Sequence, residues 1–148
     1  MRKVRNEKPQ VSEMNENEKK NSFIVKKMVD DGIFLYYQQK HRKIMYCDIL
    51  WIEASGSYCN MHMADKKQIV FVYTLCQLYD KLPKDRFVRI HRSYVVNIYA
   101  VTAFLHKMLY IGEQMLIISS PYLENVMSCF NCIDNRKVLA KPDKQTDK

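Results

Sequence analysis

Residues 86–97, RFVRIHRSYVVN, restrict the fold more than any other stretch of this chain. Two apolar runs, Phe87-Val88 with Ile90 and Tyr94-Val95-Val96, flank a polar centre. On a strand of period two, Val88, Ile90, Tyr94 and Val96 share one face, and Arg89, His91 and Ser93 share the other. Arg92 breaks the alternation, because the pleat would aim its guanidinium into the apolar face. An unpaired guanidinium there is very costly. The segment is therefore expected to be two paired strands that leave the ladder around residues 91–93, with the chain bending outward and Arg92 at the tip.

Short β-type runs continue on either side. They are predicted at 23–29, 33–37, 44–46, 49–54, 58–63, 68–73, 100–105, 108–111 and 114–118, separated by turn signals such as Asp30-Asp31-Gly32, Ser55-Gly56-Ser57 and Gly112-Glu113. A basic hairpin tip is expected at 38–43 and a basic turn at 65–67. One short helix is predicted over 74–82. Thr74 caps it, Leu75, Leu78, Tyr79 and Leu82 recur at helical spacing, and Pro83 stops it. A second helix is expected over 122–132, with Ser120 as its cap and Pro121 in its first turn. Many strands, two short helices and no βα alternation give a mainly β class.

The 148 residues suit one domain, expected over 22–133 between a disordered polar tail at 1–21 and a disordered basic tail at 134–148. Only three glycines are present, with no GxGxxG and no P-loop. The five cysteines are scattered and no apolar run approaches membrane length, so the expectation is a cytoplasmic protein with free thiols and no membrane partner. Cys129 and Cys132 form a lone CxxC without a partner pair, and are expected to be half-buried helix thiols rather than a metal site. No nucleophile, base and oxyanion arrangement is evident, so neither enzyme activity nor a cofactor is expected. His62 is expected on the wet face of its strand.

The charge is uneven. The net +8 divides into +2 over 1–21, +3 over 136–148 and +3 over 22–135. Residues 84–92 alone carry +3, a localised footprint of the kind a polyanion requires. Arg92 suits bidentate contact with a guanine edge, and Arg89 a phosphate. The hydroxyls of Ser57 and Ser93 suit phosphate oxygens. His91 could donate to either, or pack as a structural partner of Glu53. Asn97 reads as a turn-stabilising residue.

Two blocks together resemble the LytTR domain, the β-rich DNA-binding module of LytR/AlgR-type bacterial response regulators. The first is Asp48-Ile49-Leu50-Trp51-Ile52-Glu53-Ala54 followed by Tyr58. The second is the helix at 75–82 with Pro83, then Phe87 to Asn97. The resemblance covers about residues 22–130. It implies an elongated stack of small antiparallel β-sheets that places three loops against double-stranded DNA and reaches the major groove without a recognition helix. By position the first loop is Ser55-Gly56-Ser57-Tyr58, leading into Asn60. The second is His91-Arg92-Ser93 with Arg89 nearby. The third is Ser120-Pro121-Tyr122, where most of the family carries a Ser-Arg-Arg-like sequence; here Tyr122 takes the place of the arginine. The resemblance further implies transcription regulation, tandem half-sites and two copies on DNA. With only about 21 residues ahead of the fold, it is similar to a stand-alone effector without a receiver domain. The missing third-loop arginine leaves a second reading open, a protein-interaction or inhibitory module of the same fold. RNA binding is a third, although the aromatic RNP pattern is absent.

Overall fold

A computed structural model describes residues 29–136, which fall into two compact units that divide after Tyr46. The predicted tail at 1–21, most of the predicted strand at 23–29 and the end of the C-terminal tail lie outside the described residues. Residues 134–136 are exposed and outside any helix or strand.

The first unit is a two-stranded antiparallel ribbon of β1 (Gly32–Tyr37) and β2 (Lys40–Met45). The expected tip at 38–43 is much shorter. Only Gln38 and Gln39 turn, both at positive φ (53° and 71°), and Tyr37 already pairs with Lys40. A two-residue turn of that hand matches the twist of the strands it joins, so Lys40, His41, Arg42 and Lys43 belong to a strand.

In the second unit, β3 (Ile49–Ser55), β4 (Tyr58–Met63), β5 (Gln68–Val72), β6 (Phe87–His91) and β7 (Tyr94–Asn97) form one sheet in the order β5-β4-β3-β7-β6. A smaller sheet, β10-β9-β8, comprises β8 (Ala103–Leu105), β9 (Met108–Ile111) and β10 (Gln114–Ile117). Helix α1 (Leu75–Lys81) lies between β5 and β6, and α2 (Ser120–Met127) follows β10. All strand pairings are antiparallel. The mainly β expectation holds.

The centre of the large sheet is buried on both faces. Trp51, Val88, Ile90 and Val96 pack with Leu109, Ile111, Leu116 and Ile118 from the smaller sheet and Val126 of α2. The alternate residues, Ile52, Phe87 and Val95, are also fully buried, and α1 packs against β3 and β7. Each large aliphatic side chain buried this way contributes roughly 1.5–3 kcal/mol. This double burial explains why Phe87-Val88 and Val95-Val96 are apolar pairs rather than clean alternations.

Helix α1 keeps its expected ends, Thr74 and Leu82, as caps, whereas α2 differs from its predicted bounds. For α1, Thr74 accepts the Gln77 amide at 3.2 Å as expected, and Leu75, Leu78 and Leu82 turn inward. For α2, the cap is Ser119 rather than Ser120, and the helix stops at Met127, with the Ser128 amide closing back on Glu124. Cys129 and Cys132 therefore lie beyond the helix, and both are exposed, not half-buried. What holds the segment after α2 is the ring of Phe130, stacked on Phe104 of β8 with centroids 4.7 Å apart.

Asn97 is the joint the sequence suggested. Only 2% exposed, it donates from Nδ2 to the Ile49 carbonyl at 2.9 Å and accepts the Tyr99 amide at 3.0 Å, capping a 3-10 turn over Ile98–Ala100.

Candidate nucleic-acid interface

The β6–β7 corner is shaped by one extra residue. Arg89 faces Val95 and His91 faces Tyr94, so β6 advances two residues while β7 advances one, and Ile90 is the bulge. Ile90 itself stays in the core. His91 is thereby re-aimed across from Tyr94, their ring centroids 5.1 Å apart. Arg92 and Ser93 then make the turn, with Arg92 exposed. The chain leaves the ladder at Arg92 and Ser93, within the exit expected around residues 91–93, and the bulge at Ile90 lies just before it.

Arg89 braces that turn. Its Nε donates to the His91 carbonyl at 2.9 Å and its Nη2 to the Arg92 carbonyl. A planar fork of donors spans two successive carbonyls in a way a single ammonium cannot. The Ser93 amide donates to His91 Nδ1 at 3.1 Å. With Nδ1 an acceptor, the ring proton sits on Nε2, leaving the imidazole one donor for a ligand.

The expected pairing of His91 with Glu53 does not form. Glu53 Oε1 lies 3.1 Å from Nε2 of His62 instead, and the His62 ring stacks on Trp51 at 4.0 Å and 9°. The register explains this, since His62 faces Trp51 across β3–β4 and reaches Glu53 diagonally. His62 is thus half-buried on a ring, not on a wet face.

Because β3 runs antiparallel to both β4 and β7, the β3–β4 and β6–β7 turns emerge at the same end of the sheet. The Ala54 amide donates to the Ser93 carbonyl at 2.9 Å and ties them together. Gly56 and Ser57 form the first turn, Gly56 at φ 61°, a conformation that suits glycine. The Ser57 carbonyl accepts the Tyr73 amide. Ser57 is exposed and Tyr58 is 49% exposed. Asn60 lies two residues further down β4, roughly 7 Å along the strand, with Nδ2 donating to Gln68 at 2.8 Å. It is set back from the end where the loops meet.

The start of α2 reaches the same end. The Ser119 amide donates to the carbonyl of the bulged Ile90 at 2.9 Å. Ser120 and Pro121 are exposed, whereas Tyr122 packs half-buried against the core. The Tyr122 ring is thus spent largely on packing. A cation arrives from elsewhere: Lys107, in the β8–β9 turn, donates from Nζ to Ser120 Oγ at 2.7 Å, while its carbonyl accepts the Ile118 amide. Lys107 was missed in the sequence, since an isolated lysine between two short strands carries no local signal. Only the tertiary fold brings it to Ser120.

The expected charge footprint over 84–92 divides. Lys84 donates to the Leu82 carbonyl at 2.9 Å and to the Tyr79 carbonyl, closing the end of α1. Arg86 lies over the Tyr99 ring at 5.2 Å. Both precede β6, about 13 Å of strand away from the turn. Only Arg89 and Arg92 reach the corner, and with Lys107 they set its cationic character. Burial pushes the Cys59 thiol above its ordinary range, with the nearby Arg89 charge pulling weakly the other way. Among the described residues no cluster of three or more His, Cys, Asp or Glu side chains could hold a metal ion, and no helix is long and apolar enough to cross a membrane.

The LytTr DNA-binding domain family model matches residues 39–131, well over half of the chain. This chain belongs to the LytTr DNA-binding domain family. The LytTr DNA-binding domain of a putative methyl-accepting/DNA response regulator from Bacillus cereus has a similar fold, with a TM-score of 0.57 at 20% identity over 68% of this chain and 97% of that one. No curated protein matches the chain. LytTr membership makes the chain a DNA-binding regulator, and the family is not an enzyme class. The segments at 55–58, 91–93 and 119–121 gather at one end of the large sheet.

Proposed function

We propose that this LytTr domain reads duplex DNA by sequence, presenting its three gathered loops to the major groove. The observation that carries this is the pair of backbone ties, Ala54 to Ser93 and Ser119 to Ile90, which hold three separate loops at one end of a doubly buried sheet. A surface fixed in this way loses little conformational entropy on docking.

Within it, Arg92 is the base reader, exposed at the tip and suited to a guanine edge. Ser57, Ser93 and Lys107 hold phosphates, and His91 offers its Nε2 proton. Arg89 acts chiefly by shaping the turn, with its charge adding to phosphate attraction. Tyr58 lies beside the first loop. Asn60 and Tyr122 are supporting positions, one within the sheet and one against the core. Two copies on tandem half-sites complete the proposed complex.

Selection from random duplexes at two salt concentrations tests the reading. A defined site should emerge, bound with a steep salt dependence. Arg92→Ala should cost about 1–3 kcal/mol on that site and relax the preference at one position, without loss of stability. Recovery of no sequence at either salt concentration refutes sequence reading and leaves the protein-interaction role.

A further inference from the structure

The β1–β2 ribbon has two unlike faces. Its register sets Phe34 opposite Lys43 and Tyr36 opposite His41, so these four share one face. Ile33, Leu35, Tyr37, Arg42 and Ile44 alternate onto the other, where each is buried or half-buried, and Lys40, paired with Tyr37, stands exposed on that second face beside the turn. The wet face of an antiparallel pair is ordinarily polar. Here it leaves Phe34 53% and Tyr36 61% exposed, beside Lys43 and His41.

Residues 32–45 carry Lys40, Arg42 and Lys43 and no acidic residue. Asp31, just ahead of β1, pairs with Lys43 at 2.8 Å, and that bond holds its carboxyl below the usual range. An exposed pair of this kind is exchanged for another anion at little cost. Arg42 is committed to the Tyr37 carbonyl and ring. Lys40, Lys43 and the two rings remain for a partner.

The dimensions suggest which partner. Six residues per strand give a ribbon about 20 Å long, and the major groove of B-DNA, roughly 12 Å wide, admits a two-stranded ribbon. A bilayer surface calls for a broad apolar face, whereas this face holds only two rings, flanked by Lys43 and His41.

We propose that the β1–β2 ribbon is a second DNA-contact element, with Phe34 and Tyr36 against the sugars and base edges of a groove, Lys43 beside them on a phosphate of one wall, and Lys40, at the tip on the opposite face, on a phosphate of the other. It rests on the reading of the chain as a duplex binder and adds a surface to it.

The test uses the full chain on a random-sequence duplex and on the selected site, with circular dichroism confirming that each variant is folded. Lys40→Gln with Lys43→Gln should lower the slope of log K against log salt by about 1–2 and shorten the hydroxyl-radical footprint. Phe34→Ser with Tyr36→Ser should weaken binding about 3–30-fold at an unchanged slope. Arg92→Ala, run in parallel, should relax the sequence preference at one position while leaving the ribbon's share of the slope intact, so the two readings fail separately. Wild-type slope, affinity and footprint in both ribbon variants overturn the proposal. A lowered slope with wild-type behaviour of the ring variant also overturns it, reducing the ribbon to diffuse attraction. Binding to phosphatidylglycerol vesicles that the ring variant alone abolishes, with DNA binding unchanged, reassigns the face to a membrane.

Discussion

Replacing Arg89 by lysine separates two things an arginine can do at this corner. If Arg89 contributed only charge, lysine would serve nearly as well. The structure instead has its guanidinium spanning the His91 and Arg92 carbonyls. Hydrogen bonds from a charged donor contribute about 1.5–3 kcal/mol each when sheltered and less in water. One of these is half-buried and the other exposed, so their joint contribution comes to about 2 kcal/mol. Lysine can retain one bond at most. Arg89→Lys should therefore lose roughly half of what Arg89→Ala loses, and Arg89→Ala should lower the melting temperature by roughly 8–16 °C at 4–8 °C per kcal/mol. Binding should fall on every duplex sequence alike, because the whole turn loosens. Urea unfolding and fluorescence anisotropy on selected and random duplexes measure the two effects. Arg89→Lys with wild-type stability and affinity would refute the brace.

Lys107→Ala should weaken all duplexes about equally and reduce the salt slope by about 0.9, one phosphate's share, measured by anisotropy from 50 to 200 mM salt. Asn97→Ala strands the Ile49 carbonyl and uncaps the 3-10 turn, for a loss of about 2–4 kcal/mol in urea unfolding. A folded Arg89→Ala protein and a folded Asn97→Ala protein should also differ in kind, since only the former alters the DNA corner. Thiol labelling at pH 8 should modify Cys47, Cys76, Cys129 and Cys132 rapidly, since all four are exposed. Cys59 should react only on unfolding, because burial raises its thiol and disfavours the thiolate.

Much of this was legible because local chemistry and fold agree. Thr74 and Pro83 bracket α1, Gly56 marks a turn, and Arg92 could not stay on an apolar face. The charge over residues 84–92 was misleading for an equally physical reason. Counting gives each cation the same weight, yet Lys84 closes a helix and Arg86 covers a ring, and neither commitment is visible in one dimension. Lys107 and the Glu53–His62 pair were hidden because they depend on register and on loops distant in sequence. The end of α2 was overextended because the residues after Met127 are helix-compatible, and only the docking of Phe130 on Phe104 reveals the stop.

The bulge at Ile90 places the side chain of one residue in the core while its carbonyl secures the start of α2. The frame of the corner is thus anchored beneath the residues that would meet a ligand. Arg92 and Ser93 can then be exchanged with small cost to folding, while Ile90 cannot. A scaffold divided in this way separates inheritance of shape from divergence of preference. If the corner reads sequence as proposed, new targets come within reach of one or two substitutions at the tip, and the same division makes this corner the place to graft altered specificity.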